Sequence, residues 1–238
     1  MIQIYSVAIY INQDQYPQEF ALHQKYAPGE LLLDLVWTHC NIVAEIVSQL
    51  INSKRFALGD LDQKLSTQAA LLHDIGVYEC GGFEWLSQTI ETNRPYIQHV
   101  LVGAEILQKE GLPELVIQAA KTHTGIGITA EDIRLYALEL PAQDLIPQTL
   151  LEQLISYAGK FHSKAPKFKT TQEIETALAQ HGTEKVAGFK AYQDFFGLPD
   201  LNPIKEKYDS WHKSFEFRTK ELRQGGGGVK LSSTGVSK

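Results

Sequence analysis

Four histidines and one aspartate, His39, His73, Asp74, His99 and His123, are the side chains best suited to do chemistry together. Asp74 follows His73 directly, within the run Ala69-Ala70-Leu71-Leu72-His73-Asp74-Ile75-Gly76. A neutral imidazole beside a carboxylate is a donor pair suited to divalent cations of intermediate hardness. The order H…HD…H…H has gaps of 34, 25 and 24 residues. Each gap is about one helix plus a connection, so successive helices can each deliver one ligand to a common centre. Four imidazoles and a carboxylate suffice for two ions sharing a bridging group, and two ions about 3.5–4 Å apart clamp a phosphoryl group. Taken singly, each histidine reads as a hydrogen-bonded core or helix-end residue; the five in register favour a metal centre.

The elements that must position them follow from periodicity. Leu32, Leu35, Val36, His39, Val43, Ile46, Val47 and Leu50 recur at three- and four-residue intervals, which predicts a helix over 30–50 with His39 on its apolar stripe. A helix over 65–73 ends in the His-Asp pair, with Gly76 suited to stop it. Pro95 opens a helix to about 109 with His99, Val102, Gly103, Ile106 and Leu107 on one side. The next runs over 114–123 and ends at His123. Further helices are expected over 129–138, 150–161, 172–180, 183–196 and 203–223, and residues 83–90 read as a short helix or lid. Residues 1–12, β-branched and aromatic, read as a strand or extended arm. Pro17 and Ala27-Pro28-Gly29 break the chain ahead of the first helix. The expectation is an all-α bundle of seven to nine helices with little or no sheet. It divides into an N-terminal arm (1–26), a main helical domain (27–165), a C-terminal helical extension (166–223) and a glycine-rich, disordered tail (224–238).

The 238 residues can bury a substantial core, and 43% hydrophobic with 21% charged content is that of an ordinary soluble globular protein. The net charge of −6 argues against a nucleic-acid polymer as partner, because phosphate neutralisation needs a basic surface. A small phosphorylated ligand needs only a local positive pocket. Two cysteines, Cys40 and Cys80, form no CxxC pair and fit a reducing cytoplasm. The apolar opening, Ile2 to Ile11, lacks the basic start, length and cleavage site of a signal peptide or membrane span. Neighbours on a helix differ by about 100°, so Cys40 is expected to point away from the centre that His39 faces.

These motifs resemble the HD-domain metal-dependent phosphohydrolases, whose pattern is H…HD…H…H…D. His73-Asp74-Ile75-Gly76 is the HDIG form of that signature. His39-Cys40-Asn41-Ile42-Val43-Ala44 resembles the first-ligand helix, Tyr96-Ile97-Gln98-His99-Val100-Leu101-Val102-Gly103 the third, and His123-Thr124-Gly125-Ile126-Gly127 the fourth-ligand turn. The likeness covers about residues 27–165. It implies a helical fold and a centre of one or two divalent ions, iron, manganese or zinc, held by His39, His73, Asp74, His99 and His123. One departure stands out. The family's last ligand is an Asp in a YADKF-like stretch, and this chain has Tyr157-Ala158-Gly159-Lys160-Phe161. Gly159 cannot bind a metal. His162 is read as a packing or surface histidine, with substitution for the lost ligand as the alternative.

For a phosphate ester, Arg94, Lys121 and Lys164 are the cations expected to neutralise phosphoryl oxygens, and Asp74 the bridge between ions. Lys160 and Lys164 are expected on one helical face. Arg94 is favoured because a guanidinium holds phosphate bidentately. Gly81, Gly82, Phe83 and Trp85 read as a hinged lid or as a cap on the core. The leading reading is a hydrolase of a small phosphate ester or nucleotide, weakened by Gly159. The alternatives are a degenerate HD domain that binds a nucleotide or partner without turnover, and a di-iron oxygenase of the same fold. Self-association through 166–223 is open.

Overall fold

The helix predicted over 30–50 is the centre of the molecule. In the computed structural model, which describes residues 10–53, 61–83, 86 and 92–224, it is α2 (Glu30–Asn52). Leu32, Leu35, Val36, Trp37, Ile42, Val43, Ile46 and Val47 are completely enclosed. These residues cover more than one stripe, the pattern of a helix surrounded by others. α2 is long and apolar enough to cross a membrane, but 83% of its most apolar window is buried inside the bundle.

α3 (Gln63–Leu72) packs along α2 and starts with Asp62, whose side chain accepts from the Leu65 amide. A 3₁₀ segment, Ile75–Glu79, leads away from the His-Asp pair. α4 (His99–Lys109) continues from the 3₁₀ turn Tyr96–Gln98 and packs on α5 (Glu114–Thr122). After α6 (Ala130–Leu135) comes α7 (Leu150–Ala158). Both open on capping boxes, in which Thr129 and Thr149 exchange hydrogen bonds with Asp132 and Glu152. α8 (Thr171–Ala179), α9 (Thr183–Phe196) and α10 (Asn202–Gln224) complete ten α-helices among the described residues.

Four expectations change. Pro17 does not merely break the chain; it opens a further helix, α1 (Pro17–Tyr26), where a missing N–H and a preset φ are tolerated. α7 stops at Ala158, and after a 3₁₀ turn (Gly159–Phe161) the chain forms a two-stranded hairpin of β1 (His162–Ser163) and β2 (Lys167–Phe168), pairing His162 with Phe168. Lys160 and Lys164 therefore share no helical face. Gly76 ends no helix. A Cβ there would stand 2.1 Å from the His99 carbonyl oxygen and 2.3 Å from the Gly103 amide nitrogen. The glycine lets the 3₁₀ segment lie directly on α4. The arm at 1–9, the tail at 225–238 and most of the proposed lid, Trp85 included, lie outside the described residues; residues 10–15 are coil and turn.

α10 runs back along α2 in the opposite direction. Near the start of α2, Asp34 accepts from Trp211 Nε1 at 2.8 Å and pairs with Arg218. Farther along, Glu45 accepts from Tyr208 Oη and Lys207 Nζ, both at 2.6 Å. His39 lies on α2 between these two clamps, and His212 lies on α10 next to Trp211, between Tyr208 and Arg218.

Candidate metal centre

Each of the five expected ligands is delivered by a different point of the bundle, and all five meet. His39 projects from the middle of α2, His73 caps α3, Asp74 follows it, His99 starts α4 and His123 caps α5. None is more than 6% exposed. Asp74 stands between two pairs: Oδ2 is 3.1 Å from His39 Nε2 and 3.2 Å from His73 Nε2. Oδ1 is 3.4 Å from His99 Nε2 and 3.3 Å from His123 Nε2. One carboxylate thus joins two triads of possible metal ligands, the expected place for a bridge.

Hydrogen-bond partners identify the protonated nitrogen on three rings. A backbone carbonyl only accepts, so a ring nitrogen facing one must carry the proton. His73 Nδ1 faces the Ala70 carbonyl, His99 Nδ1 that of Tyr96 and His123 Nδ1 that of Ala120, each at 2.7 Å. The spacing is the same in all three, because each histidine sits at a turn end where the carbonyl three residues earlier is within reach. Their Nε2 lone pairs all turn towards Asp74, and His99 Nε2 and His123 Nε2 face each other at 3.1 Å. Asp74 Oδ1 is buried without a hydrogen-bond partner. Lone pairs and a carboxylate packed this tightly repel unless a cation lies among them. The donor set therefore fits one or two divalent ions.

Burial keeps the rings neutral and ready to donate, pushing His39 and His99 down to about 3 and His123 to about 4. Burial alone would raise Asp74, but the Lys164 ammonium, 2.5 Å from Oδ2, outweighs it and holds the carboxyl well below its usual range. The same pairing raises Lys164 despite its own burial. Cys40 lies behind His73, with Sγ 3.8 Å from Nδ1 on the side away from the cluster, as expected. Burial pushes its thiol well up and that of Cys80 to about 11.

The cluster floors an open cleft of about 620 Å³, walled by Phe83, Tyr96, Thr124 and Gly159. The cations lining it among the described residues are Lys160, Lys164 and Lys169. Lys160 donates to the His123 carbonyl at 3.3 Å, and burial followed by the nearby Lys164 brings it down to about 7. Arg94 is elsewhere: its guanidinium pairs with Glu79 at 2.9 Å and borders a separate surface pocket with Gln98 and Glu139. Lys121, in the last turn of α5, does not line the cleft either. Lys164 does, but from the hairpin turn. His162 is 2% exposed rather than at the surface, and its Nδ1 is 2.9 Å from His39 Nδ1. Lys169 and His212 went unforeseen because no local spacing links them to the His-Asp run.

Comparison with known proteins identifies the family. The HD-domain family model matches residues 36–164, more than half of the chain, and the chain belongs to that family. Among curated proteins it is 30% identical over 130 residues to a tRNA (cytidine(56)-2'-O)-methyltransferase of Picrophilus torridus, covering 55% of this chain and 32% of that protein. It is 28% identical over 166 residues to the protein of the same name from Thermoplasma volcanium, covering 67% and 44%. An uncharacterized protein of Methanocaldococcus jannaschii is 33% identical over 120 residues, covering 50% and 62%. The chain thus spans less than two thirds of each of these relatives. Among solved structures, the HD domain of the L. monocytogenes phosphodiesterase PgpH aligns with a TM-score of 0.47 and 16% identity, over 75% of this chain and 95% of that one.

Proposed function

We propose that this protein is a metal-dependent phosphohydrolase acting on a small phosphate ester or a nucleotide. The observation that carries the reading is the convergence of histidine Nε2 atoms on the unpartnered Asp74 Oδ1 at the floor of a cleft lined by three lysines. One or two divalent ions held there (iron, manganese or zinc) supply Lewis acidity towards a phosphoryl oxygen and lower the pKa of water towards neutrality. His39, His73, His99, His123 and Asp74 hold the ions. Lys164 anchors Asp74 in its ionised form, and Lys160 and Lys169 place positive charge where a phosphate would enter. Phe83 and Tyr96 offer aromatic surface to the rest of the ligand. Arg94 and Lys121 are left out of this assignment. Free, buried thiols at Cys40 and Cys80 support a reducing, cytoplasmic setting.

Methyl transfer is not carried over from the relatives, since the matched segments are only 32% and 44% of those proteins. Binding without turnover is the second reading, favoured by Gly159. The test is phosphate release from nucleotides and nitrophenol release from mono- and bis-nitrophenyl phosphate, by protein reconstituted with manganese, iron or zinc. Release that disappears in His73→Ala supports hydrolysis. Ligand-induced thermal stabilisation with no product under any metal would replace it with the binding reading.

A further inference from the structure

Of the four metal-facing imidazoles, His39 alone lacks a backbone carbonyl to settle which nitrogen carries its proton. Its Nδ1 faces His162 Nδ1 at 2.9 Å instead. His162 Nε2 faces His212 Nε2 at 3.2 Å, and His212 Nδ1 faces the Tyr208 carbonyl at 2.9 Å. Phe168 packs against both outer rings, with centroids 5.0 and 5.3 Å away. A line of imidazoles therefore runs from Asp74 to the backbone of α10.

The two ends of this line are acceptors, the Asp74 carboxylate and the Tyr208 carbonyl. Three neutral rings bring three protons to four links, so one link goes without. A cation taking the His39 Nε2 lone pair removes the deficit. The three protons then serve the three remaining links, all pointing outward: His39 Nδ1–H to His162, His162 Nε2–H to His212, and His212 Nδ1–H to Tyr208.

We propose that His162 and His212 are positioning residues whose directional hydrogen bonds, anchored on the Tyr208 carbonyl of α10, set His39 with its Nε2 lone pair aimed at the metal centre. The proposal rests on the metal-centre reading and adds that the C-terminal helix is part of the centre's outer support. Partners of this kind orient a ligand ring and raise its basicity. The clamps at Asp34 and Glu45 hold α10 in register with α2 on either side of the line.

The test uses the full chain, labelled with ¹⁵N-histidine and loaded with zinc. Two-bond ¹H–¹⁵N spectra read the protonated nitrogen of each ring. The expected set is Nδ1–H on His39, Nε2–H on His162 and Nδ1–H on His212. His39 protonated at Nε2, or His162 itself bound to zinc, overturns the proposal. Calorimetric titration gives the second readout. His162→Ala is expected to weaken zinc binding about 10–100-fold, the usual loss for an outer-shell partner. His212→Ala weakens it too, while His212→Gln, whose amide both donates and accepts, restores it. His162→Ala/His212→Ala should be no weaker than His162→Ala alone, since the line acts as a unit. Alanine and glutamine variants at 212 that lose thermal stability equally, with unchanged zinc affinity, would reduce these rings to packing. Failure of the wild-type protein to take up zinc overturns the metal-centre reading and the proposal together; uptake with other tautomers overturns the relay alone.

Discussion

At the residue scale, two glycines are small for opposite reasons. Gly76 is compressed between backbones. A methyl group there would overlap the His99 carbonyl and the Gly103 amide, and neither can rotate away as a side chain would. Gly76→Ala should therefore cost more than the 1–3 kcal/mol or so usual for an overpacked core, and a urea melt within about 1 kcal/mol of wild type would contradict this. Gly159 is open. A Cβ there meets only His73 Nε2, at 4.0 Å, and its φ of −62° suits any L-residue. Gly159→Asp should fold and place a carboxylate beside the His39–His73–Asp74 triad. Metal per chain by elemental analysis, on both proteins purified side by side, is expected to rise in the variant. Equal content would mean that position 159 does not face the bound ion.

At the scale of elements, α10 buries an apolar stripe of Ile204, Tyr208, Trp211 and Phe215, and polar clamps on Asp34 and Glu45 fix its register against α2. Asp34 is 4% exposed and serves both Trp211 and Arg218. Asp34→Ala strands the buried indole N–H, whose unmet desolvation costs about 1–3 kcal/mol. The Arg218 side chain is 35% exposed and regains water, so it adds little. Asp34→Asn keeps a carbonyl for Trp211 and should lose distinctly less than the alanine variant. Guanidinium denaturation of the two variants gives the comparison, and identical midpoints would remove Trp211–Asp34 from the account of how α10 docks.

For the whole molecule, acid stability is the property most exposed by buried neutral histidines. His23 shows it outside the His-Asp cluster. Tyr78 Oη lies 2.6 Å from its Nδ1 and the Leu71 carbonyl 2.8 Å from its Nε2, and burial lowers it from 6.5 to about 4. Between those pH values the unfolded chain binds a proton that the folded form refuses, so falling pH favours unfolding. The depression corresponds to about 3 kcal/mol, fully retained above pH 6.5 and lost progressively towards pH 4. His23→Gln, which keeps one donor and one acceptor, should lose less stability than wild type between pH 7 and pH 4. Stability curves that stay parallel over that range would show that His23 does not titrate on unfolding.

The five-residue cluster and the helical class were legible in the linear chain because both are local or periodic. His39, His99 and the His73-Asp74 pair sit on or beside strongly apolar helical repeats, and the loss at Gly159 is visible in one short stretch. The helix opened by Pro17 was missed because proline weakens a pattern at the position where it is tolerated. Arg94 was expected at the site from proximity along the chain, but its partner Glu79 lies across a turn and draws it to the surface. Lys164 came to Asp74 through a hairpin instead of a helix. His162 and His212 belong to segments separated by 50 residues, and only the antiparallel course of α10 on α2 puts their rings in line with His39. Residue types and spacing are written in the chain, whereas which nitrogen faces which oxygen is decided by packing of distant elements.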